Sequence, residues 1–224
     1  MTCGAVADIA ERLARVRARI DSVAGGRPVE IVAVTKGFGA DAIEAALATG
    51  LTTIGENYAQ ELLSKAPTLR DRPGVQCHFI GAVQRNKVRA IAPLVDCWEA
   101  VDRVAVAETI ARHAPGATVL IQVNLSGEPA RAGCSWDDVA EVVDGARGLG
   151  LDVRGLMGVG PAGPPDAARP AFARLAERSR ELGLADVSMG MSDDLEVAVA
   201  EGSTMVRLGT ALFGPRPDRR DLRR

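Results

Sequence analysis

Residues 29–37 read V-E-I-V-A-V-T-K-G, a short and nearly continuous apolar run that ends at a lysine and a glycine. Such a run is typical of a strand covered on both faces, as in a parallel sheet, rather than of a strand with one face in water. In α/β folds the loops at the C-terminal ends of parallel strands carry the chemistry. The run therefore puts the amine of Lys36 at the functional edge of a predicted sheet.

Lysine is rare in this chain. It stands only at positions 36, 65 and 87, so that 24 of the 27 basic residues are arginine. Arginine stays protonated, whereas a lysine in an apolar site can lose its proton and attack a carbonyl. The lysine at the strand end therefore indicates imine chemistry, with a solvent-directed or ion-paired lysine as the structural alternative.

The alternation of a short apolar run with a helical pattern repeats along the chain. An amphipathic helix is predicted first, over residues 5–23. Eight strands alternating with helices in 224 residues favour a single (β/α)8 barrel; an open doubly wound sheet would normally carry a G-x-G-x-x-G turn after its first strand. Helix N-caps are predicted at Asp41, Ser135 and Asp193. Besides the lysine strand, the strands are predicted at residues 52–57, 76–81, 95–101, 118–125, 153–160, 187–192 and 205–213.

Composition excludes several classes of function. A net charge of −2 and an aromatic content of 3% argue against a nucleic-acid surface. The four cysteines form no C-x-x-C pair, so neither a metal site nor a disulfide framework is expected. With no signal-like start and no membrane-spanning apolar run, we expect a soluble, cytoplasmic protein. We expect one barrel domain over residues 1–214 and a solvated, Arg/Asp-rich tail over residues 215–224.

Polar residues follow the seventh and eighth predicted strands, where barrels often bind phosphate. Ser192 opens a predicted helix, and Gly209 and Thr210 add a close backbone approach and a hydroxyl. A helix cap and a packing glycine are the structural alternatives. Arg207 lies within an apolar strand and needs a partner, which is either an acidic neighbour or a ligand. The barrel would thus carry the amine of Lys36 after its first strand and a phosphate site after its seventh and eighth strands. This combination fits a ligand with an aldehyde and a phosphate, such as pyridoxal phosphate.

Three further side chains lie at predicted strand ends. Asn57 follows the second strand and either caps a helix or holds a ligand. His78 in the third strand and Met157 in the sixth have core packing as the structural alternative. Because strand ends meet at one face of a barrel, all three remain candidates for the same site.

Five motifs, in order across nearly the whole chain, resemble the pyridoxal phosphate homeostasis proteins (YggS/PROSC type). They are V-T-K at 34–36, G-E-N-Y at 55–58, H-F-I-G-A-V-Q-R-N-K at 78–87, S-M-G-M-S-D-D at 188–194 and V-R-L-G-T-A-L-F-G at 206–214. The turn at residues 37–39 departs from the threonine-containing version of many members.

The resemblance implies an alanine-racemase-like barrel that holds pyridoxal phosphate as an internal aldimine on Lys36. It also implies that Ser192, Gly209 and Thr210 bind the phosphate and that Arg207 faces the pyridine nitrogen. Asn57, His78 and Met157 would line the pocket, and no residue is assigned a catalytic role.

The function implied is intracellular vitamin B6 homeostasis without strong catalytic activity, with apo forms of pyridoxal phosphate enzymes as possible recipients. The alternatives are a racemase or lyase acting from one face, a cofactor-free aldolase-type barrel and a non-catalytic scaffold. Ten residues follow Gly214, too few for a second domain with an opposing base, so we expect a monomer.

Overall fold

The computed structural model describes residues 3–216 and contains a closed barrel of eight parallel strands that neighbour one another in sequence order. This confirms the barrel predicted from the sequence. The strands are Glu30–Val34 (β1), Thr53–Glu56 (β2), Gln76–Phe79 (β3), Cys97–Val101 (β4), Thr118–Val123 (β5), Asp152–Gly158 (β6), Asp186–Ser188 (β7) and Met205–Leu208 (β8).

Helices cover the outside of the barrel. Two 3-10 turns, Ala92–Leu94 and Pro165–Ala168, accompany them. Among residues 3–216, no helix combines the length and the hydropathy needed to cross a bilayer. The helices are Cys3–Ala24 (α1), Ala40–Ala48 (α2), Ala59–Arg70 (α3), Arg85–Ile91 (α4), Val104–His113 (α5), Val139–Gly148 (α6), Arg169–Glu181 (α7), Leu195–Ala200 (α8) and Thr210–Phe213 (α9).

The predicted N-terminal helix is present as α1. Its residues Leu13, Val16 and Ile20 are buried in one apolar cluster with Ile31 of β1 and Val206 of β8. Burial of a whole Val, Leu or Ile side chain stabilises a fold by about 1.5–3 kcal/mol. The apolar face of α1 therefore anchors this helix over the seam where the last strand closes the barrel onto the first.

Strand register decides which residues meet at the C-terminal edge. In β1, Ala33 pairs with Ile54 of β2 on one side and with Leu208 of β8 on the other. Lys36, three residues after Ala33, therefore lies close to both Asn57 and the segment after β8.

The apolar run at residues 205–213 is not one strand. β8 ends at Leu208, and Thr210–Phe213 forms the short helix α9, whose Leu212 is buried against the barrel. A short apolar run fits a buried helix as well as a strand, so its composition could not separate the two.

The predicted helix caps are displaced. Gly39 is the N-cap of α2, with Asp41 inside the first turn. Asp138 stands at the N-cap of α6, but the hydroxyl of Ser135 accepts a hydrogen bond from the Asp138 backbone N–H and so caps the turn that leads into this helix. Asp194 stands at the N-cap of α8 in place of Asp193. Boundary residues depend on loop contacts that a local pattern does not contain.

Candidate functional site

A cavity of about 300 Å³ opens where the strands end. This volume is at the lower end of the range for small-molecule sites, about 300–1,000 Å³. Seven of the eight predicted site residues line it, and His78 lies outside the lining. The seven are Lys36, Asn57, Met157, Ser192, Arg207, Gly209 and Thr210.

Lys36 projects into this cavity from the loop after β1. Its Nζ lies 3.4 Å from Oδ1 of Asn57, a long contact that leaves the amine weakly held. Burial, then the positive charges of Arg216 and Arg207, lower the pKa of Lys36 from its ordinary value. A lowered pKa increases the fraction of neutral, nucleophilic amine at a given pH.

A buried ion pair supports the strand ends that carry Lys36 and Asn57. Lys65 Nζ of α3 donates to Glu56 Oε1 at 2.6 Å and to the carbonyl oxygen of Thr35 at 2.8 Å. The Thr35 hydroxyl donates to the same Glu56 oxygen at 2.5 Å. Burial raises the pKa of Glu56, while Lys65 opposes this shift. Because Thr35 precedes Lys36 and Glu56 precedes Asn57, the pair ties both ends to α3.

The loops after β2 and β3 meet closely beside the cavity. A Cβ atom at Gly81 would lie 2.0 Å from the carbonyl oxygen of Asn57, so no larger residue fits there without a backbone shift. This contact fixes the backbone of Asn57, whose side chain faces the Lys36 amine.

Two hydroxyl groups form a pair on another part of the cavity wall. Ser192 Oγ lies 3.4 Å from Oγ1 of Thr210. Gly209 lies between Thr210 and the end of β8. The carboxylate of Asp194 accepts a hydrogen bond from the backbone N–H of Met191 at 2.6 Å. That carboxylate is thus engaged by backbone, and the hydroxyl pair can donate to a bound anion.

Arg207 forms part of the cavity wall from within the barrel, 5% exposed. Its Nη1 donates to Ser188 Oγ at 2.6 Å and its Nη2 donates to the carbonyl oxygen of Gly158 at 2.7 Å. Oε2 of Glu99 lies 3.9 Å from Nη1. Burial lowers the pKa of Arg207, against the effect of the Glu99 charge. The acidic neighbour expected for a buried arginine is therefore Glu99.

His78 acts on the cavity indirectly, through Glu99. His78 Nδ1 donates to Glu99 Oε1 at 2.7 Å, and the Ser188 hydroxyl donates to Glu99 Oε2 at 2.6 Å. Burial favours the neutral carboxyl, but the hydrogen bond from His78 and the charges of His78 and Arg207 outweigh it and lower the pKa of Glu99. Glu99 thus links His78 and Ser188 to the guanidinium in the cavity wall.

Sequence reasoning missed several of these groups. Glu99 lies in the apolar run C-W-E-A-V and Glu56 ends the run T-I-G-E, so a charge within a buried strand was the available signal for both. The rarity of lysine also marked Lys65. Arg216, which lines the cavity after α9, had no such signal, because its position depends on how the chain turns after the barrel closes.

Comparison with known proteins covers nearly the whole chain. The family model of the alanine racemase N-terminal domain matches residues 6–217. The chain is similar to the pyridoxal phosphate homeostasis proteins of Pseudomonas aeruginosa (43% identical; 93% of this chain, 96% of the relative) and Escherichia coli (38%; 93% and 97%). Its fold is similar to that of PipY from Synechococcus elongatus with pyridoxal phosphate bound, with a TM-score of 0.80, 34% identity and coverage of 92% and 100%.

Proposed function

Since this chain belongs to the family of pyridoxal phosphate homeostasis proteins, we propose that it binds pyridoxal phosphate and serves intracellular vitamin B6 homeostasis. One observation carries the proposal: the Lys36 amine, with its lowered pKa, and the hydroxyl pair of Ser192 and Thr210 line the same cavity. The amine suits an aldehyde and the hydroxyl pair suits a phosphate, and pyridoxal phosphate carries both groups.

The donor set fits this cofactor residue by residue. Lys36 would hold the aldehyde through its amine, and Ser192, Thr210 and the backbone at Gly209 would hold the phosphate. When bound, the cofactor supplies an aldehyde that takes up amines and a ring that can accept electrons. Arg207 would face the ring nitrogen, and its guanidinium is held in place by hydrogen bonds to Ser188 and Gly158.

The remaining predicted residues complete the pocket. Asn57 contacts the Lys36 amine at 3.4 Å, and Met157 would provide apolar surface beside the ring. His78 contributes through Glu99, as a residue that positions Arg207 rather than one that contacts the ligand.

The proposed role is to hold the cofactor rather than to catalyse a dedicated reaction. Of the described residues that line the cavity, those with titratable side chains are Lys36, Arg207 and Arg216. An arginine keeps its proton and therefore disfavours a protonated ring nitrogen, which weakens the ring as an electron acceptor. A racemase would also need a second base facing the substrate.

The proposal also covers the domain bounds, the oligomeric state, the cellular location and the partners of the protein. We expect a single domain over residues 1–214 that acts as a monomer in the cytoplasm, with apo forms of pyridoxal phosphate enzymes as possible recipients. The Arg/Asp-rich tail predicted over residues 215–224 lies outside the described residues from position 217 onward.

Titration with pyridoxal phosphate, followed by visible absorption and equilibrium dialysis, tests the proposal. The wild-type chain is expected to bind stoichiometrically, and Lys36→Met to lose most of the affinity. Lys87→Met is the matched control, because Lys87 is the exposed lysine of α4. Equal affinity of all three proteins would contradict the proposal. Multiple turnovers of an added amino acid by the loaded protein would favour an enzyme instead.

A further inference from the structure

Arg216 reaches the cavity by a route that depends on two glycines. After α9 the chain turns at Gly214, which has a φ of 81°, and brings Arg216 into the cavity lining. The Arg216 side chain then lies across Gly37: a Cβ atom at position 37 would lie 3.2 Å from Cδ of Arg216. Gly37 itself has a φ of 78°, which glycine adopts without strain. The turn after Lys36 thus leaves room for this side chain.

The charge at this part of the cavity is positive. Arg216 is close enough to Lys36 to lower the pKa of its amine, second only to burial among the causes. The nearby carboxylate of Glu61 accepts a hydrogen bond from the Gly37 backbone N–H at 2.9 Å and so is engaged by the loop. An exposed guanidinium beside a half-buried amine favours an anionic ligand.

Arg216 differs from the other arginine in the lining. Arg207 is buried and its two terminal nitrogens donate to Ser188 and Gly158. Arg216 is exposed on the solvent side of the cavity, so its guanidinium can turn toward an incoming ligand. The hydroxyls of Ser192 and Thr210 can donate hydrogen bonds, but they are neutral and cannot offset the charge of a phosphate monoester, about −1.5 to −2 at neutral pH.

We propose that Arg216 is a specificity-determining residue that contacts the phosphate of the bound vitamer and makes the site prefer phosphorylated over unphosphorylated pyridoxal. This inference rests on the proposed function, since it assumes that the Lys36 cavity takes up a pyridoxal. The hydroxyls of Ser192 and Thr210 then orient the phosphate through hydrogen bonds. Arg216 supplies a positive charge opposite the phosphate and a planar pair of N–H donors.

The experiment compares the dissociation constants of pyridoxal phosphate and pyridoxal in four proteins. These are the wild type, Arg216→Gln, Arg216→Lys and Arg112→Gln; Arg112 is an exposed arginine in the last turn of α5. We expect Arg216→Gln to weaken pyridoxal phosphate roughly tenfold, as for loss of one charge-assisted hydrogen bond, and pyridoxal less than about twofold. Arg216→Lys should retain part of the preference, and Arg112→Gln all of it.

Competition by inorganic phosphate gives a second readout that does not depend on covalent attachment. Phosphate should compete with pyridoxal phosphate more effectively in the wild type than in Arg216→Gln. Equal weakening of both vitamers by Arg216→Gln, or no weakening of either, would overturn the role of Arg216 while leaving the proposed function intact. If the wild type binds neither vitamer, the proposed function itself fails. Thermal unfolding followed by circular dichroism confirms that the variants are folded.

Discussion

Replacing Lys65 by methionine should destabilise the barrel by about 3–5 kcal/mol, the usual loss when one partner of a buried ion pair is removed. Lys65 and Glu56 are 3% and 0% exposed, so water cannot take over the lost contacts. The variant would leave Glu56 with the Thr35 hydroxyl, while its Oε2 already has no partner among the described residues. For a domain whose total stability is about 5–15 kcal/mol, this is a large fraction.

The destabilisation should depend on pH in a defined direction. Burial raises the pKa of Glu56 in the folded state, and removing Lys65, which opposes that shift, raises it further. The folded variant therefore binds a proton more tightly than the unfolded chain, so its stability falls as pH rises from the unfolded pKa through the folded one. The loss should be smaller at about pH 5 than at about pH 8.

Urea unfolding at both pH values, followed by far-UV circular dichroism, measures the loss. The double variant Glu56→Gln with Lys65→Met removes the buried charge and should recover part of the stability. Lys87→Met, at an exposed lysine, should change the free energy of unfolding by no more than about 0.5 kcal/mol. A loss below about 1 kcal/mol for Lys65→Met, or an equal loss at both pH values, would refute the assigned role of the pair.

Three further outcomes are expected. Ser192→Ala should weaken pyridoxal phosphate roughly tenfold and pyridoxal little, measured by equilibrium dialysis; equal weakening would remove Ser192 from the phosphate site. Glu99→Gln should destabilise the chain by roughly 2–4 kcal/mol and shift the absorption of bound cofactor, because the Arg207 guanidinium loses its carboxylate; an unchanged spectrum would count against this placement. Since the pKa of Lys36 is lowered by burial and neighbouring arginines, its reaction with a small aldehyde should reach its plateau at a lower pH than the same reaction of a lysine model peptide, and coincident profiles would contradict it.

The barrel was predictable because its signals are local and repeated. Each strand is a short apolar run between helical segments, and a parallel strand order follows from the alternation alone. The run at residues 205–213 shows the limit of this reasoning. Its composition fits a strand throughout, yet the chain turns at Gly209 so that Leu212 is buried in a short helix.

Residues of the candidate site were predictable where a polar or charged side chain stands in or at the end of an apolar strand. Lys36, Ser192, Arg207 and Thr210 were found in this way, and the structure brings them to one cavity. His78 could not be placed in this way. The alternation of side chains along a strand does not show whether the inward side chain of His78 faces the cavity or a neighbouring strand.

Side-chain contacts between different strands and helices could not be predicted from the sequence. The ion pair of Glu56 and Lys65 joins a strand to the following helix, and Glu99 meets Arg207 only because the barrel closes. The position of the Arg216 side chain depends on the turn at Gly214 and on the absence of a side chain at Gly37. Such contacts join elements that no sequence period relates.

Borohydride reduction of the chain mixed with pyridoxal phosphate, followed by peptide mass mapping, shows whether Lys36 holds the cofactor. Reduction makes a reversible attachment permanent, so the modified lysine can be identified. We expect a pyridoxyl phosphate group on the peptide that contains Lys36, and none on the Lys36→Met variant. Stable modification of Lys65 or Lys87 with Lys36 unmodified, or no modification at all, would contradict it.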